Sequence, residues 1–300
     1  MQTPVLDAGT RSPPLVTSLQ MDRRIFLKAI AAAALPSAAA GASYGLFEAG
    51  WVEVVRQRFA LPRLPKAFDG MTIAFLTDIH HGPFTTLDYV ANVVRTTLAL
   101  QPDMILLGGD YSLKDGKYIR PCFEVLAGLS APLGVYGVLG NHDYWHGLEE
   151  TREGFKSAGI GELTNRGVWV ERGSSRFRLA GVDDLWMGTV DVAGAVGEAK
   201  PDDACLLVSH NPDVAEKLRD PRVGLMLSGH THGGQVVFPG GAPFVPSHYG
   251  QKYLHGMVQA PVTTVYVSRG LGCMSIPVRF ASRPELTHVT LQAGPSCERS

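Results

Sequence analysis

The stretch Leu139-Gly140-Asn141-His142-Asp143 sets an amide, an imidazole and a carboxylate in consecutive positions, directly after the apolar run 134–139. Four other segments end apolar runs with the same side-chain types: Thr77-Asp78-Ile79-His80, Gly108-Gly109-Asp110, Ser209-His210 and Gly229-His230-Thr231-His232. The runs before them, 71–77, 104–107, 204–209 and 223–228, are short and apolar, as expected of strands buried on both faces. Between the first three runs lie amphipathic segments at 85–100 and 118–129; Leu87, Val90, Val94 and Leu98 keep helical spacing in the first. Asp110 follows Asp78 by 32 residues and Asn141 follows Asp110 by 31, each about one βαβ unit. This rhythm places the polar residues at the C-terminal ends of neighbouring strands, where open α/β sheets build their sites. Asp78 and His80, two apart in an extended chain, are expected on one face.

Further along, the pattern predicts a helix over 148–158 and hairpin strands at 168–170 and 176–182 around Gly173-Ser174. Later strands are predicted at 263–267 and 288–291. The Gly- and Pro-rich span 233–250 reads as a long loop system beside the last His pair, of the length that substrate loops and lids have.

Hydrophobic residues make up 45% of the 300, enough for a proper core. Lys plus Arg number 27 against 28 for Asp plus Glu, a net charge of -1, so no nucleic acid partner is expected. Cys122, Cys205, Cys273 and Cys297 are far apart and form no C-x-x-C pair, which argues against a thiolate zinc site or a disulfide scaffold. Cys205 reads as a core residue, and one disulfide among the others stays open.

Residues 1–20 read as disordered. Met21-Asp22-Arg23-Arg24-Ile25-Phe26-Leu27-Lys28 and the alanine-rich run after it resemble a twin-arginine export signal, with small-x-small cleavage spacings at Ala38-Ala39-Ala40 and Ala40-Gly41-Ala42. Met21 offers an alternative start. Pro36 and the weakly apolar alanines favour cleavage over anchoring, since a spanning helix needs ~20 predominantly apolar residues. The organisation expected is a leader and signal peptide over 1–42, an edge strand and Pro-containing connector over 43–67, a catalytic domain over 68–293 and a mobile tail over 294–300.

Asp and Asn oxygens with His nitrogens, and no cysteine, suit two divalent metal ions (Mn²⁺, Fe²⁺/Fe³⁺ or Zn²⁺) better than a structural zinc. One carboxylate can bridge cations ~3.5–4 Å apart, an arrangement that neutralises phosphoryl oxygens and acidifies a water. A spare imidazole beside them can protonate a leaving oxygen. Taken singly, Asp78 or Asp110 would be read as a helix N-cap, Asn141 as a turn residue and His210 as a satisfied polar group. Their coincidence at strand ends reverses those readings.

Together, Asp78-x-His80, Gly109-Asp110, Gly140-Asn141-His142-Asp143, His210 and Gly229-His230-x-His232 resemble the motifs of the calcineurin-like metallophosphoesterases, over roughly residues 70–291. The paired arginines, Phe68-Asp69-Gly70 and the stretches 266–272 and 277–280 resemble the exported YkuE-like branch. The resemblance implies an α/β fold, a four-layer αββα sandwich of two mixed β-sheets. It implies Asp78, His80 and His232 on one metal, Asn141, His210 and His230 on the other, Asp110 bridging, and His142 as the catalytic group at the scissile phosphate. Some family members orient that imidazole with an Asp three residues after the bridging one. Leu113 stands there in this chain, leaving Asp143 and Asp115 as candidates. His81 and His146 are near enough in sequence to line a pocket but read as solvated loop histidines, and Arg269, Arg279 and Arg283 as surface ion pairs.

The function expected is hydrolysis of a phosphodiester or pyrophosphate bond in a lipid- or nucleotide-linked substrate outside the cytoplasm. The partners implied are that phosphoester substrate, the twin-arginine translocation machinery and a membrane surface. A phosphomonoesterase, or a non-catalytic metal-binding scaffold, would share the same ligand pattern.

Overall fold

Five strands carry the chain through a first sheet before the second begins. They are β1 (Glu53–Leu61), β2 (Thr72–Leu76), β3 (Met104–Leu107), β4 (Val135–Gly137) and β5 (Gly161–Glu162). Helices α1 (Leu87–Ala99), α2 (Ile119–Leu126) and α3 (Asn141–Ser157) connect them, and the last strand, β12 (Glu285–Ala293), returns to lie between β1 and β2. The second sheet comprises β6 (Arg166–Arg172), β7 (Ser175–Gly181), β8 (Cys205–Val208), β9 (Val223–Ser228), β10 (Gly256–Gln259) and β11 (Thr264–Val267). Short helices α4 (Val192–Val196) and α5 (Val214–Lys217) lie between its strands. This computed structural model describes residues 40–294, and the described residues from Ser43 onward form one compact unit. The twin-arginine segment, the 1–20 leader, Cys297 and nearly all of the expected tail lie outside the described residues.

Both sheets are mixed. In the first, β12 runs antiparallel to β2 and the other pairs are parallel. In the second, the outer pairs β6–β7 and β10–β11 are antiparallel and the inner pairs parallel. Alternation along the buried strands decides the layering. Ile73 and Phe75 of β2 share one apolar cluster with Leu206 and Val208 of β8, so this cluster lies between the sheets. Ala74 and Leu76 face Val90, Phe123 and Phe155 of the three large helices. Cys205 and Leu207 face Val196 and Val214 of α4 and α5. The result is the four-layer αββα sandwich, as expected.

The segment 43–67 does more than connect. β1 is the edge of the first sheet, paired in parallel with β12 from Glu53↔Glu285 to Leu61↔Ala293. Before it, the buried Glu48 carboxylate accepts from the backbone N–H of Ser282 (2.7 Å) and Ala281 (3.2 Å).

One helix differs from expectation. α3 begins at Asn141, inside the opening motif, and not at 148. Its first turn is held by Asp143, whose carboxylate reaches back to the Gly140 N–H at 2.8 Å. Gly147, at φ 154, kinks the helix after that turn, and apolar periodicity becomes visible only beyond the kink. The strands β5 and β10 and the helix α4 are too short for periodicity to reveal.

Close packing of α2 on α3 depends on Gly154: a Cβ there would overlap the Phe123 ring. Gly154→Ala should therefore lower stability by about 1–3 kcal/mol, the usual cost of overpacking. A urea midpoint at or above that of the parent protein would contradict this contact.

Candidate metal centre

The polar residues of the five motifs meet where the C-terminal ends of the parallel strands of the two sheets come together. Asp78 and His80 follow β2, Asp110 follows β3, His210 follows β8, and His230 and His232 follow β9. The backbone there is unusual. Asp78 (φ 52), His80 (φ 49), Asp110 (φ 58), His230 (φ 71) and His232 (φ 55) all adopt left-handed conformations that non-glycine residues seldom take. Such strain persists only where the surroundings over-determine it, and it gathers at functional sites. Asp78 and His80 therefore do converge, though not by strand alternation: β2 ends at Leu76, and left-handed turns aim both side chains inward.

Backbone hydrogen bonds between strand ends fix those turns. Asp78 N–H donates to Gly109 O and His80 N–H to Asp110 O, both at 3.0 Å, while His230 N–H donates to the Asp78 carboxylate at 2.9 Å. Two glycines permit the approach. A Cβ on Gly229 would collide with Asp78 Oδ2, and one on Gly140 with Asp110 Oδ1.

Two groups of ligand atoms result, and a third combination, His80, Asp110 and His142, overlaps both. In one, His80 Nε2 and His232 Nε2 lie 3.0 Å apart, with Asp78 Oδ1 at 3.3 Å from His232 Nε2 and 4.0 Å from His80 Nε2. In the other, His210 Nε2 lies 3.1 Å from His230 Nδ1 and 3.2 Å from Asp110 Oδ2. Asp110 Oδ2 is also 3.5 Å from His80 Nε2, so this one oxygen faces both groups. Ligands at ~2.0–2.2 Å from a cation stand ~3–3.5 Å from each other, which all of these separations match except the 4.0 Å between Asp78 and His80. Asn141 Oδ1, beside the second group, is buried without a hydrogen-bond partner. Orphaned buried polar atoms need an explanation, and the donor set fits divalent cations with N and O ligands.

The electrostatics agree. Burial disfavours the imidazolium form, pushing His80 down to about 3 and His230 and His232 well below the usual imidazole value, so these rings present lone pairs. Burial raises Asp78 to about 6. His210 is the exception: burial opposes its charge, but the carboxylates of Asp110, Asp78 and Asp184 together outweigh it and raise the imidazole to about 10. Burial would likewise raise Asp110, yet His210, His142 and His80 hold it well below the ordinary carboxylate range. His210 Nδ1 faces Gly108 O at 2.8 Å, which binds the second sheet to the first and leaves Nε2 pointing at Asp110.

The remaining sequence expectations sort clearly. His142 sits at the rim, half-buried, with its backbone N–H donating to Asp110 Oδ1 at 2.8 Å. Neither expected orienting carboxylate touches its ring. Asp143 accepts the N–H groups of Gly140, Asp110 and Tyr111, and Asp115 is an exposed partner of Lys117. His81 and His146 are not solvated loop residues. His81 is buried with Nδ1 at 2.8 Å from Thr85 O, and His146 Nε2 lies 3.1 Å from His142 Nδ1. Arg269 does form ion pairs, with Glu285 (2.9 Å) and Glu53 (2.8 Å). Arg279 is fully buried, its guanidinium donating to the carbonyls of Gly272, Ser282 and Arg269 behind His232. Cys122, Cys205 and Cys273 are buried free thiols.

Sequence reasoning missed the walls of the site. Trp145 packs edge-on against His142 at 4.6 Å between centroids, and Trp186 against His230 at 4.3 Å. The Asp184 carboxylate accepts the N–H groups of Trp186 and Met187, shaping the turn that carries the second indole. With Phe244, Pro246 and Met274 the two indoles line a cavity of about 480 Å³ whose floor is Asp110, Asn141 and His230, with His142 at its rim. Trp145, two residues after the Asn141-His142-Asp143 motif, and Trp186, in a connecting segment, were the available signal.

The model of the calcineurin-like phosphoesterase family matches residues 71–234, a span that holds every candidate ligand, and the chain belongs to that family. It is accordingly a phosphoester hydrolase. It is 35% identical over 292 residues to the Bacillus subtilis protein named uncharacterized metallophosphoesterase YkuE, covering 91% of this chain and 99% of that one. It is 35% identical over 276 residues to the Escherichia coli phosphodiesterase YaeI, covering 90% and 99%. A transmembrane protein with a metallophosphoesterase domain from Danio rerio is 32% identical over 266 residues, 84% of this chain and 60% of its own length.

Because Asp110 faces both groups, Asp110→Asn should weaken both. Metal content after equilibration with Mn²⁺ should fall at both positions, and turnover should drop by more than the ~10–100-fold typical of losing a supporting partner. Two tightly held ions with near-normal turnover would exclude a bridging role.

Proposed function

We propose that this chain is a binuclear-metal-dependent phosphodiesterase or pyrophosphatase acting outside the cytoplasm on a lipid- or nucleotide-linked substrate. The observation that carries this reading is the contrast between the floor and walls of the 480 Å³ cavity. The floor is a cluster of ligand atoms; the walls are Trp145, Trp186, Phe244, Pro246 and Met274, and Lys114 is the one Lys or Arg in the lining. A diester carries a single negative charge and two organic arms, and an apolar wall can accept such an arm. A monoester has only one such arm and brings a second negative charge to a lining in which Lys114 is the one Lys or Arg. The name of the Escherichia coli relative, a phosphodiesterase, supports the same choice.

In this reading Asp78, His80 and His232 hold one divalent cation and Asn141, His210 and His230 the other, with Asp110 shared. When bound, the two ions supply Lewis acidity to a phosphoryl group and to water. The chain's own residues do the rest. Asp143 fixes the turn that presents Asn141 and His142, through the three N–H groups it accepts. His142, at the rim between floor and wall, holds the proton for the leaving oxygen. The two indoles narrow the mouth and limit water around the reacting centre.

The paired arginines at Arg23-Arg24 support export by the twin-arginine machinery. The small-x-small spacing Ala40-Gly41-Ala42 supports removal of the leader there. Among the described residues no helix is long and apolar enough to cross a membrane. Exposed Trp145, Trp186, Met187 and Phe244 around the mouth support approach to a membrane surface.

Hydrolysis of bis-p-nitrophenyl phosphate and p-nitrophenyl phosphate tests the reading. The Mn²⁺-loaded protein should cleave the diester with a kcat/KM at least about tenfold higher, a difference of ~1.4 kcal/mol. Chelation and Asp110→Asn should abolish both activities. A preference for the monoester would overturn the diesterase assignment, and two bound metals with no turnover of either would favour the scaffold.

A further inference from the structure

α3 carries a second imidazole before its kink. His146 lies one turn beyond His142, and its Nε2 is 3.1 Å from His142 Nδ1. The same Nε2 is 3.0 Å from the backbone nitrogen of Lys114. A backbone N–H can only donate. His146 Nε2 is therefore an acceptor, and the His146 proton resides on Nδ1. His142 Nδ1 can then approach that nitrogen only as an N–H donor. This fixes the neutral His142 ring as the Nδ1–H tautomer, with Nε2 the nitrogen not engaged by His146.

Other groups near His142 are committed elsewhere. The Asp143 carboxylate accepts three backbone N–H groups, and Asp115 is exposed and paired with Lys117. Leu113 is buried and apolar, and offers no acceptor. The backbone that places the pair is itself constrained. Lys114 takes a left-handed φ of 72, and Gly147 at φ 154 bends α3 immediately after His146. A Cβ on Gly116 would come within 2.7 Å of the His146 carbonyl, so the 114–118 turn and α3 before its kink are in close contact.

We propose that His146 is the positioning residue of this site: by accepting the His142 Nδ1–H it sets the tautomer and ring orientation of His142 and directs Nε2 to the leaving oxygen. The proposal rests on the reading of His142 as the acid for the leaving group. No proton crosses between the two rings. His142 acts in its doubly protonated form: it gives the Nε2 proton to the departing oxygen and is left as the neutral Nδ1–H tautomer, while His146 stays neutral.

The test compares His142→Ala, His146→Phe and His146→Gln with the parent in the full-length, Mn²⁺-loaded protein, on methyl aryl phosphodiesters of graded leaving-group pKa. His142→Ala should lose ~10²–10⁴-fold in kcat on the poorest leaving groups and far less with p-nitrophenolate. His146→Phe keeps a ring but removes the acceptor, and should lose ~10–100-fold in kcat on the same poor leaving groups, with KM and metal content unchanged. His146→Gln supplies an amide oxygen and should recover most of that loss. A leaving-group-dependent loss in His142→Ala without one in His146→Phe would overturn the positioning role and leave the acid role standing. A uniform loss in His142→Ala would overturn the acid role, and with it the catalytic part of the proposal. The tautomer is read independently by ¹⁵N-histidine NMR of the metal-free protein at alkaline pH. His142 should show Nδ1–H in the parent and shift toward Nε2–H in His146→Phe; Nε2–H in the parent would overturn the proposal outright.

Discussion

Three buried carboxylates, Asp78, Asp110 and Asp143, belong to one hydrogen-bonded region at the junction of the sheets. Burying like charges together is costly unless something of opposite sign compensates. Asp143 is compensated by three backbone N–H groups, although burial, reinforced by the Asp110 charge, still raises it to about 7. Asp110 is compensated by imidazoles from both sheets, above all His210. Asp78 has Thr77 and the His230 N–H, and remains raised. The rest of the site follows from this requirement for positive charge. A protonated His210 meets part of it in the protein alone, and divalent cations would meet it more fully, with the imidazoles as candidate ligands.

That constraint explains why the backbone is strained where it is. A carboxylate can be shared by side chains from two sheets only if strand ends approach to within hydrogen-bond distance. The chain achieves this with glycines at Gly140 and Gly229, where a side chain would strike the Asp110 and Asp78 carboxylates. It also places five candidate ligands at positive φ. The cost of each such residue is of order 1–3 kcal/mol, tolerable here because the sandwich beneath it is fully buried. The αββα layers supply the rigidity, and the strand ends use it.

Much of this was legible in the sequence because the relevant signals are local. Short apolar runs ending in Asp, Asn or His announced β2, β3, β8 and β9, and the interval of about 31 residues announced parallel neighbours. What escaped has a physical reason in each case. The start of α3 lies in a polar motif cut off from its apolar stripe by Gly147, so periodicity could not reveal it. Convergence of Asp78 and His80 was expected from strand alternation but arises from left-handed turns, which composition does not encode. His146 read as a loop histidine because its acceptor role depends on Lys114, 32 residues earlier in the chain. Arg279 read as a surface cation because its partners are carbonyls, invisible in a list of side chains.

The division of labour between floor and walls bears on why one family scaffold can serve different substrates. The floor is over-determined: changing Asp110, His210 or Gly140 disturbs charge, backbone and both sheets together. The walls are not. Trp145 sits on the first turn of α3, Trp186 on a turn held by Asp184, and Phe244 in the long loop after His232, three segments with no strand pairing to one another. Substitutions there would alter which organic arm fits without disturbing the ligand cluster. Trp145 is the point of contact between the two layers, since its indole packs on His142. A substrate arm lodged against Trp145 would therefore be placed relative to the imidazole, and through His142 Nδ1 and His146 Nε2 relative to the backbone that fixes it.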